Sequence, residues 1–292
     1  MMTVSIITPS FNQGRFIERT IRSVLSQGFP DLEYVVFDGG STDGTLDILK
    51  RYEPRLRWVS EKDKGQTNAV NKGILSTSGE IIGWLNSDDI YCPGAIQTAC
   101  DFFGSYPEVD ILYGNACHIN ESDQAIEPYP TEPWNVERLR ETCYICQPAV
   151  FFRRRVVKRF GLLDERLNYC MDYEYWLRLA EGGARFSYVD QVLAGSRLYA
   201  ETKTAGSRVS VHREINKMMC DRFGKVPDRC IFNFARVISN EKGLNRQTPF
   251  RYAASVSVLS IFFALQWNKG VSLRLLKIVS QWISGNFHRV FR

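Results

Sequence analysis

The residues in this chain best suited to chemistry are carboxylates that follow abrupt changes of polarity. Residues 81–90 read IIGWLNSDDI, an apolar run of strand character that ends in Asn86, Ser87 and two adjacent acids, Asp88 and Asp89. A buried strand that delivers a carboxylate pair to its carboxyl end can hold a divalent cation and its polyphosphate ligand. The same residues also read as a polar turn with an Asp capping the next helix, because Pro93 suits a helix's first turn. Asp38 ends the run EYVVF and serves either as a turn acceptor or as a ligand contact. Asp63 lies in the charged stretch EKDKGQ, and Asp172 in MDYEYWLRL. On a helix Tyr175, Trp176 and Leu179 share an apolar face, so Asp172, one turn before Trp176, is held rigidly. Glu174 competes with it from a different side of that helix, and a plain helix-start acid is the bland alternative.

These acids need elements to position them. Short β-branched runs over residues 3–8, 33–37, 56–60 and 80–85 alternate with helical spacing over 15–27, 45–51 and 67–75. That order predicts an α/β fold with a mostly parallel sheet covered by helices. Ligands of such sheets lie beyond the carboxyl ends of the strands. Here those ends present residues 9–12, Asp38, residues 61–63 and residues 87–89. The second half alternates less cleanly. It reads as a helix over 95–103, a strand over 109–113 and a proline-rich acidic loop over 121–135. A strand over 147–152, helices over 153–160 and 168–179, and closing strands over 186–189 and 192–198 follow.

Residues 1–203 are therefore expected to form a catalytic domain, with a nucleotide-binding half of about 1–90 and an acceptor half of about 91–203. Residues 204–292 read as a basic, amphipathic helical appendage. From Lys203 onward there are 16 Lys/Arg against 4 Asp/Glu, or +12, which leaves −7 for the rest of a chain whose net charge is +5. An acidic body and a basic end suggest two surfaces with different partners. Residues 253–265 are apolar over only ~13 positions, short of the ~20 a bilayer span needs. The basic end is thus either packing for this or a second copy of the chain, or a peripheral contact with anionic lipid. Of the 8 cysteines only Cys143 and Cys146 form a CxxC, with no partner set for zinc. The N-terminus opens into a strand without a leader pattern, so the expectation is a cytoplasmic protein with reduced thiols, peripheral on the inner face of the membrane.

Five stretches in order, TPSFNQGRFIERTIRSVLSQ, YVVFDGGSTDGT, SEKDKGQTNAVNKGI, GEIIGWLNSDD and MDYEYWLRLA, resemble the inverting family 2 glycosyltransferases. They cover residues 3–198. The resemblance implies a GT-A fold, a nucleotide-sugar donor such as a UDP-sugar, and Mg2+ or Mn2+. It implies that Asp38 accepts the uracil imide N–H, a bond open to an ionised carboxylate. Thr8, Pro9 and Phe11 would line the base by backbone contact and stacking, and Asp63 would lie near base and ribose. Asp88 would contact the ribose or order the loop, Asp89 would bind the cation, and Asp172 would be the catalytic base, although Met171 stands where an acid usually precedes it. The family's closing segment often carries a His after an Arg. Here Arg197 is followed by Tyr199, a poor ligand near neutral pH. Arg197 or Lys203 could instead neutralise the diphosphate, and Gln147 could reach the acceptor.

The resemblance points to sugar transfer onto a saccharide or lipid-linked saccharide in cell-surface polysaccharide or glycolipid assembly. The competing reading is an inactive nucleotide-sugar-binding protein, or a membrane or nucleic-acid interaction module. No nucleic-acid motif supports the last, and the acidic crevice opposes it. A dehydrogenase would need GxGxxG after the first strand, which TPSFNQG lacks. Asp43 reads as a helix-start residue, and self-association stays open.

Overall fold

VSIITPS is enclosed along its whole length and forms β1 (Val4–Ser10), a strand whose residues are buried on both faces. In the computed structural model, which describes residues 2–245 and 247–290, helix α1 (Ile17–Leu25) buries Ile17, Thr20, Ile21 and Val24, the face its spacing dictates. Strand β2 (Leu32–Asp38), helix α2 (Thr45–Arg51), strand β3 (Arg57–Ser60), helix α3 (Gln66–Ser76) and strand β4 (Ile81–Trp84) complete the alternation. β1 pairs parallel with β2 on one side and β4 on the other, and β2 pairs parallel with β3. The chain thus reverses its direction of sheet growth between β1 and β4. That is the switch point where open α/β sheets hold ligands, beyond the carboxyl ends of the strands.

The second half adds β5 (Ile90–Tyr91), α4 (Ala95–Ser105), β6 (Ile111–Ile119), β7 (Ala125–Pro128), α5 (Val136–Glu141), β8 (Val150–Arg153), α6 (Arg154–Phe160), α7 (Met171–Glu181) and β9 (Phe186–Arg197). The strand order is β3-β2-β1-β4-β8-β6-β9-β5, with β7 pairing β6 beside this path. β4–β8, β6–β8, β5–β9 and β6–β7 are antiparallel, while β6–β9 is parallel. The sheet is therefore mixed, parallel in its nucleotide half. Residues 121–135 contain a strand where a loop was expected, because β7 pairs with the far end of β6. The two expected closing strands are one, β9, with register shifts against β6 marking the break near residues 190 and 191. Residues 147–149 form a 3-10 turn before β8 rather than the start of a strand.

The chain divides into two units, Met1–Val136 with Cys143–Thr202, and Glu137–Thr142 with Lys203–Arg292. The second is built from α8 (Lys203–Gly206), α9 (Arg208–Phe223), α10 (Asp228–Glu241), α11 (Pro249–Asn268) and α12 (Leu273–Val290). Its core gathers Ile231, Phe232 and Ala235 of α10, Tyr252, Val256 and Ala264 of α11, and Leu275 and Val279 of α12. α11 is longer than its central apolar run: at 20 residues and mean hydropathy 1.2 it could cross a membrane by length and composition. The eight cysteines are all free thiols.

His212 on α9 is held neutral. Burial first, then Arg208 and Arg236 beside it, push its pKa down to about 4. An unfolded His titrates near 6.5, so between about 6.5 and 4 the unfolded chain binds the proton that the folded chain refuses. Stability is full above that window and falls as the pH drops through it. Thermal unfolding across pH 7.5 to 4.5 should show the loss, and His212→Gln should flatten that part of the profile.

Candidate active site

Asn86 is the joint of the turn after β4. Its Oδ1 accepts from Trp84 Nε1 at 2.9 Å and from Gln66 Nε2 at 2.7 Å. Its Nδ2 donates to Gln147 Oε1 at 2.9 Å and to Asp89 Oδ2 at 3.3 Å. One amide therefore ties together β4, the start of α3, the 3-10 turn and the acid pair. Sequence reasoning passed over Asn86 because it looked only for groups that could reach a ligand. The signal that could have found it is an amide, with two donors and two acceptor sites, inside a turn where several segments must meet.

Asp89 and Asp88 differ in environment. Asp89 is 5% exposed. Its Oδ1 accepts the Arg197 backbone N–H at 2.9 Å, Oδ2 accepts from Asn86, and its carbonyl takes the Thr20 hydroxyl at 2.7 Å. Asp88 is half-buried and receives one side-chain bond, from Tyr199 Oη to Oδ2 at 2.9 Å. Burial raises both carboxyl pKa values, and the neighbouring Asp88 charge raises that of Asp89 further. Each Asp89 oxygen accepts one hydrogen bond, which ties β9 to the turn, while the Asp88 carboxylate accepts one side-chain bond. Two like charges side by side, one buried and one half-buried, are what a divalent cation would relieve. Among the described residues no group of three His, Cys, Asp or Glu could hold a metal. The donor set therefore suits a hard cation that takes most ligands from phosphate and water, as Mg2+ and Mn2+ do.

The other expected residues divide in the same way. Asp38 is buried, and its carboxylate closes its own turn. Oδ2 accepts from Gly40 N–H, Ser41 N–H and Ser60 Oγ, and Oδ1 from Ser41 Oγ. The turn-acceptor use, one of the two expected for it, is thus realised in this arrangement. Asp63 uses Oδ1 for the Gly65 N–H at 2.7 Å, while its Oδ2 lies 3.0 Å from the point where a Cβ on Gly39 would stand. Thr8 is buried with its hydroxyl 3.2 Å from Tyr34 Oη, and Pro9 is buried beside it, so both can offer only backbone. Phe11 is 59% exposed and open for stacking. Asp43 accepts from Gly14 N–H and Thr45 N–H and starts α2 as expected. Ser10, missed from sequence, pairs in register with Asp38, and its buried hydroxyl has no partner.

Arg197 does not reach a diphosphate. Its guanidinium is wholly enclosed, donating to the carbonyls of Asp88 and Asn120 at 2.6 Å and pairing with Asp123 at 2.5 Å. Gln147 is equally committed, with Nε2 on the Trp84 carbonyl at 2.5 Å and Oε1 on Asn86, so it buckles the turn and is not an acceptor contact. Lys203 belongs to the second unit, not to the one that holds the turn. Tyr199 is a donor to Asp88, and burial with that charge beside it raises its pKa.

Asp172 occupies the first turn of α7, where the helix dipole favours an anion, and Oδ1 accepts the Tyr173 N–H at 2.8 Å. Its competitor Glu174 is buried and bound to Arg178 one turn on, Nε to Oε1 at 3.0 Å. Arg178 donates onward to the Phe160 and Leu162 carbonyls, so this pair fixes the helix. The approach to α7 is also pinned, because Thr67 Oγ1 binds the Leu167 carbonyl and Asn71 Nδ2 the Leu163 carbonyl. Burial first, then the charges of Asp89, Cys143 and Asp172, push up the pKa of the Cys146 thiol.

Residues 5–161 match the family described as Glycosyl transferase family 2. The chain belongs to this family. Among similar curated proteins, chondroitin synthase of Escherichia coli is 29% identical over 214 residues, 72% of this chain and 31% of that protein. An uncharacterised glycosyltransferase of Nostoc sp. is 30% identical over 176 residues, 56% of this chain and 54% of the relative. The chain thus spans about a third of the chondroitin synthase it matches. In structure it is similar to Staphylococcus aureus TarS 1–349 in complex with UDP-GlcNAc, with a TM-score of 0.63 at 17% identity, covering 88% of this chain and 80% of that one. It is also similar to the Pyrobaculum calidifontis mannosyltransferase PcManGT in complex with GDP-Man and Mn2+, with a TM-score of 0.62 at 18% identity, covering 97% and 80%. The fold is GT-A, and this family 2 glycosyltransferase carries its acids at the strand ends that the fold leaves open.

Breaking the Glu174–Arg178 pair separates structural from chemical roles in α7. Glu174→Gln leaves a half-buried guanidinium short of its counter-charge, which costs ~3 kcal/mol. Thermal unfolding should move down by roughly 6–12 °C, while glycosyl transfer by the folded fraction persists.

Proposed function

We propose that this family 2 glycosyltransferase moves a sugar from a UDP-sugar to an acceptor hydroxyl with inversion, in the assembly of a cell-surface polysaccharide or glycolipid. The observation that supports the reading is the acid pair Asp88 and Asp89 in the turn after β4, at the switch point of a parallel half-sheet. The similarity to chondroitin synthase supports a polysaccharide product, and the TarS complex with UDP-GlcNAc supports a UDP donor. In the base subsite, Phe11 offers a stacking face and Asp63 Oδ2 a polar contact. Asp63 is then the acceptor of the imide N–H, with Asp38 shaping the turn against which it lies.

In the reaction Asp172 takes the proton of the acceptor hydroxyl as that oxygen bonds to the anomeric carbon. The bond from that carbon to the diphosphate oxygen breaks in the same displacement, and its electron pair leaves with the nucleoside diphosphate. Positioning does most of the work, because α7 is pinned at its start by α3 and along its length by Arg178. Mn2+ or Mg2+ bound at Asp88 would supply the positive charge that offsets the charge developing on the diphosphate. Tyr199 orients the Asp88 carboxylate and remains protonated.

Three substitutions test the assignment. Asp172→Asn keeps shape and removes the base, so kcat should fall by roughly 10²–10⁴ with UDP affinity unchanged. Turnover like that of the unaltered protein would sink the base role. Asp88→Asn should abolish the Mn2+-dependent part of UDP binding, read by calorimetry with and without the metal. Asp89→Asn should instead lower the unfolding temperature. The opposite pattern would return the cation to Asp89.

A further inference from the structure

α11 is apolar around its circumference, yet only one side of it is used within its own unit. Tyr252, Val256, Ser260 and Ala264 are buried, and the apolar members of that set join the core made with α10 and α12. Ala254, Val258, Ile261, Phe262 and Leu265 lie on the opposite side. At 3.6 residues per turn these five fall within an arc of about 100°. Val258, Phe262 and Leu265 are 66%, 56% and 51% exposed. Exposed Arg251 and Lys269 bracket the face at its two ends, and α12 opens with exposed Leu273 and Leu276 next to exposed Lys277.

The charge pattern around this face selects what covers it. After Glu241 the chain has no Asp or Glu, and residues 242–292 hold eight Lys/Arg. A second copy would bring the same cations to the contact and no acid to meet them. A phospholipid surface with anionic headgroups complements both features, accepting apolar side chains at the acyl boundary and cations at the headgroups. α11 is long enough to cross a bilayer, but only 28% of its apolar window is buried in its unit, and that buried side already packs on α10. Lying in the plane of the interface satisfies both sides, whereas crossing would strip α10 from it.

We propose that the exposed face of α11 docks on an anionic phospholipid surface, with Val258, Ile261, Phe262 and Leu265 inserted and Arg251, Lys269 and Lys277 at the headgroups. The inference does not depend on the sugar-transfer chemistry. The test is flotation of the full chain with phosphatidylcholine vesicles, with and without phosphatidylglycerol, with hydrolysis of a soluble UDP-sugar read on the same preparations. The unaltered chain should float with the anionic vesicles, less as salt rises, and weakly with phosphatidylcholine alone. Phe262→Glu should lower the partition coefficient by more than about tenfold, and Val258→Asp similarly, with the melting temperature and the hydrolysis rate unchanged. Absence of binding to either vesicle, or equal binding by Phe262→Glu, would overturn the proposal. So would a dimer that Phe262→Glu disperses in the absence of vesicle binding. A chain that floats but does not hydrolyse any UDP-sugar would speak against the proposed reaction and leave the lipid surface standing.

Discussion

A single half-buried carboxamide sets the geometry on which the rest of the site depends. Asn86 spends both donors and its acceptor oxygen on four different segments, and no other residue type of that size could do so. An Asp there would lose the donors to Gln147 and to Asp89, and would add a third charge beside two acids that burial already disfavours. The hub sits where β4 ends, so it converts the direction of a buried strand into the direction of the acid pair. Arg197 works from the other side, fixing the Asp88 carbonyl through Nε and the Asp89 carboxylate through its backbone.

The acids of this site are divided by solvation rather than by sequence. Asp38, Asp89 and Glu174 lie in enclosed surroundings, and each is filled by donors from its own neighbourhood. A buried carboxylate must be satisfied in this way, because an unpaired charge there costs several kcal/mol on the order of magnitude of ion desolvation. Asp63, Asp88 and Asp172 are only partly enclosed. Partial exposure keeps these three within reach of solvent, where a substrate would arrive. The same logic removes Arg197 and Gln147 from the list of ligand contacts, since each is already bound inside the fold.

The two units answer to different constraints. The first is an α/β sheet whose helices cover buried strands, and its polar residues gather at strand ends. The second has a small core shared by three helices and leaves one side of α11 apolar and exposed among cations. A helix that is apolar all round belongs inside something. Within its own unit only one side of it is inside.

By themselves, the residues determined the strand and helix alternation of the nucleotide half, because periods of two and 3.6 in a buried pattern are local properties. They also determined which turns carry acids, and the basic, amphipathic character of the end of the chain. Tertiary structure alone decided how those acids divide their work. Asp88 and Asp89 are neighbours of the same type, and only the burial of one against Arg197 and Asn86 sets their surroundings apart. Asp172 and Glu174 are likewise parted by Arg178, four residues further along α7 than Glu174. The strand β7 and the continuity of β9 depend on pairing with β6, a contact between distant stretches that no local spacing encodes. The role of Asn86 is the plainest case, since a hub exists only once the segments it joins have come together.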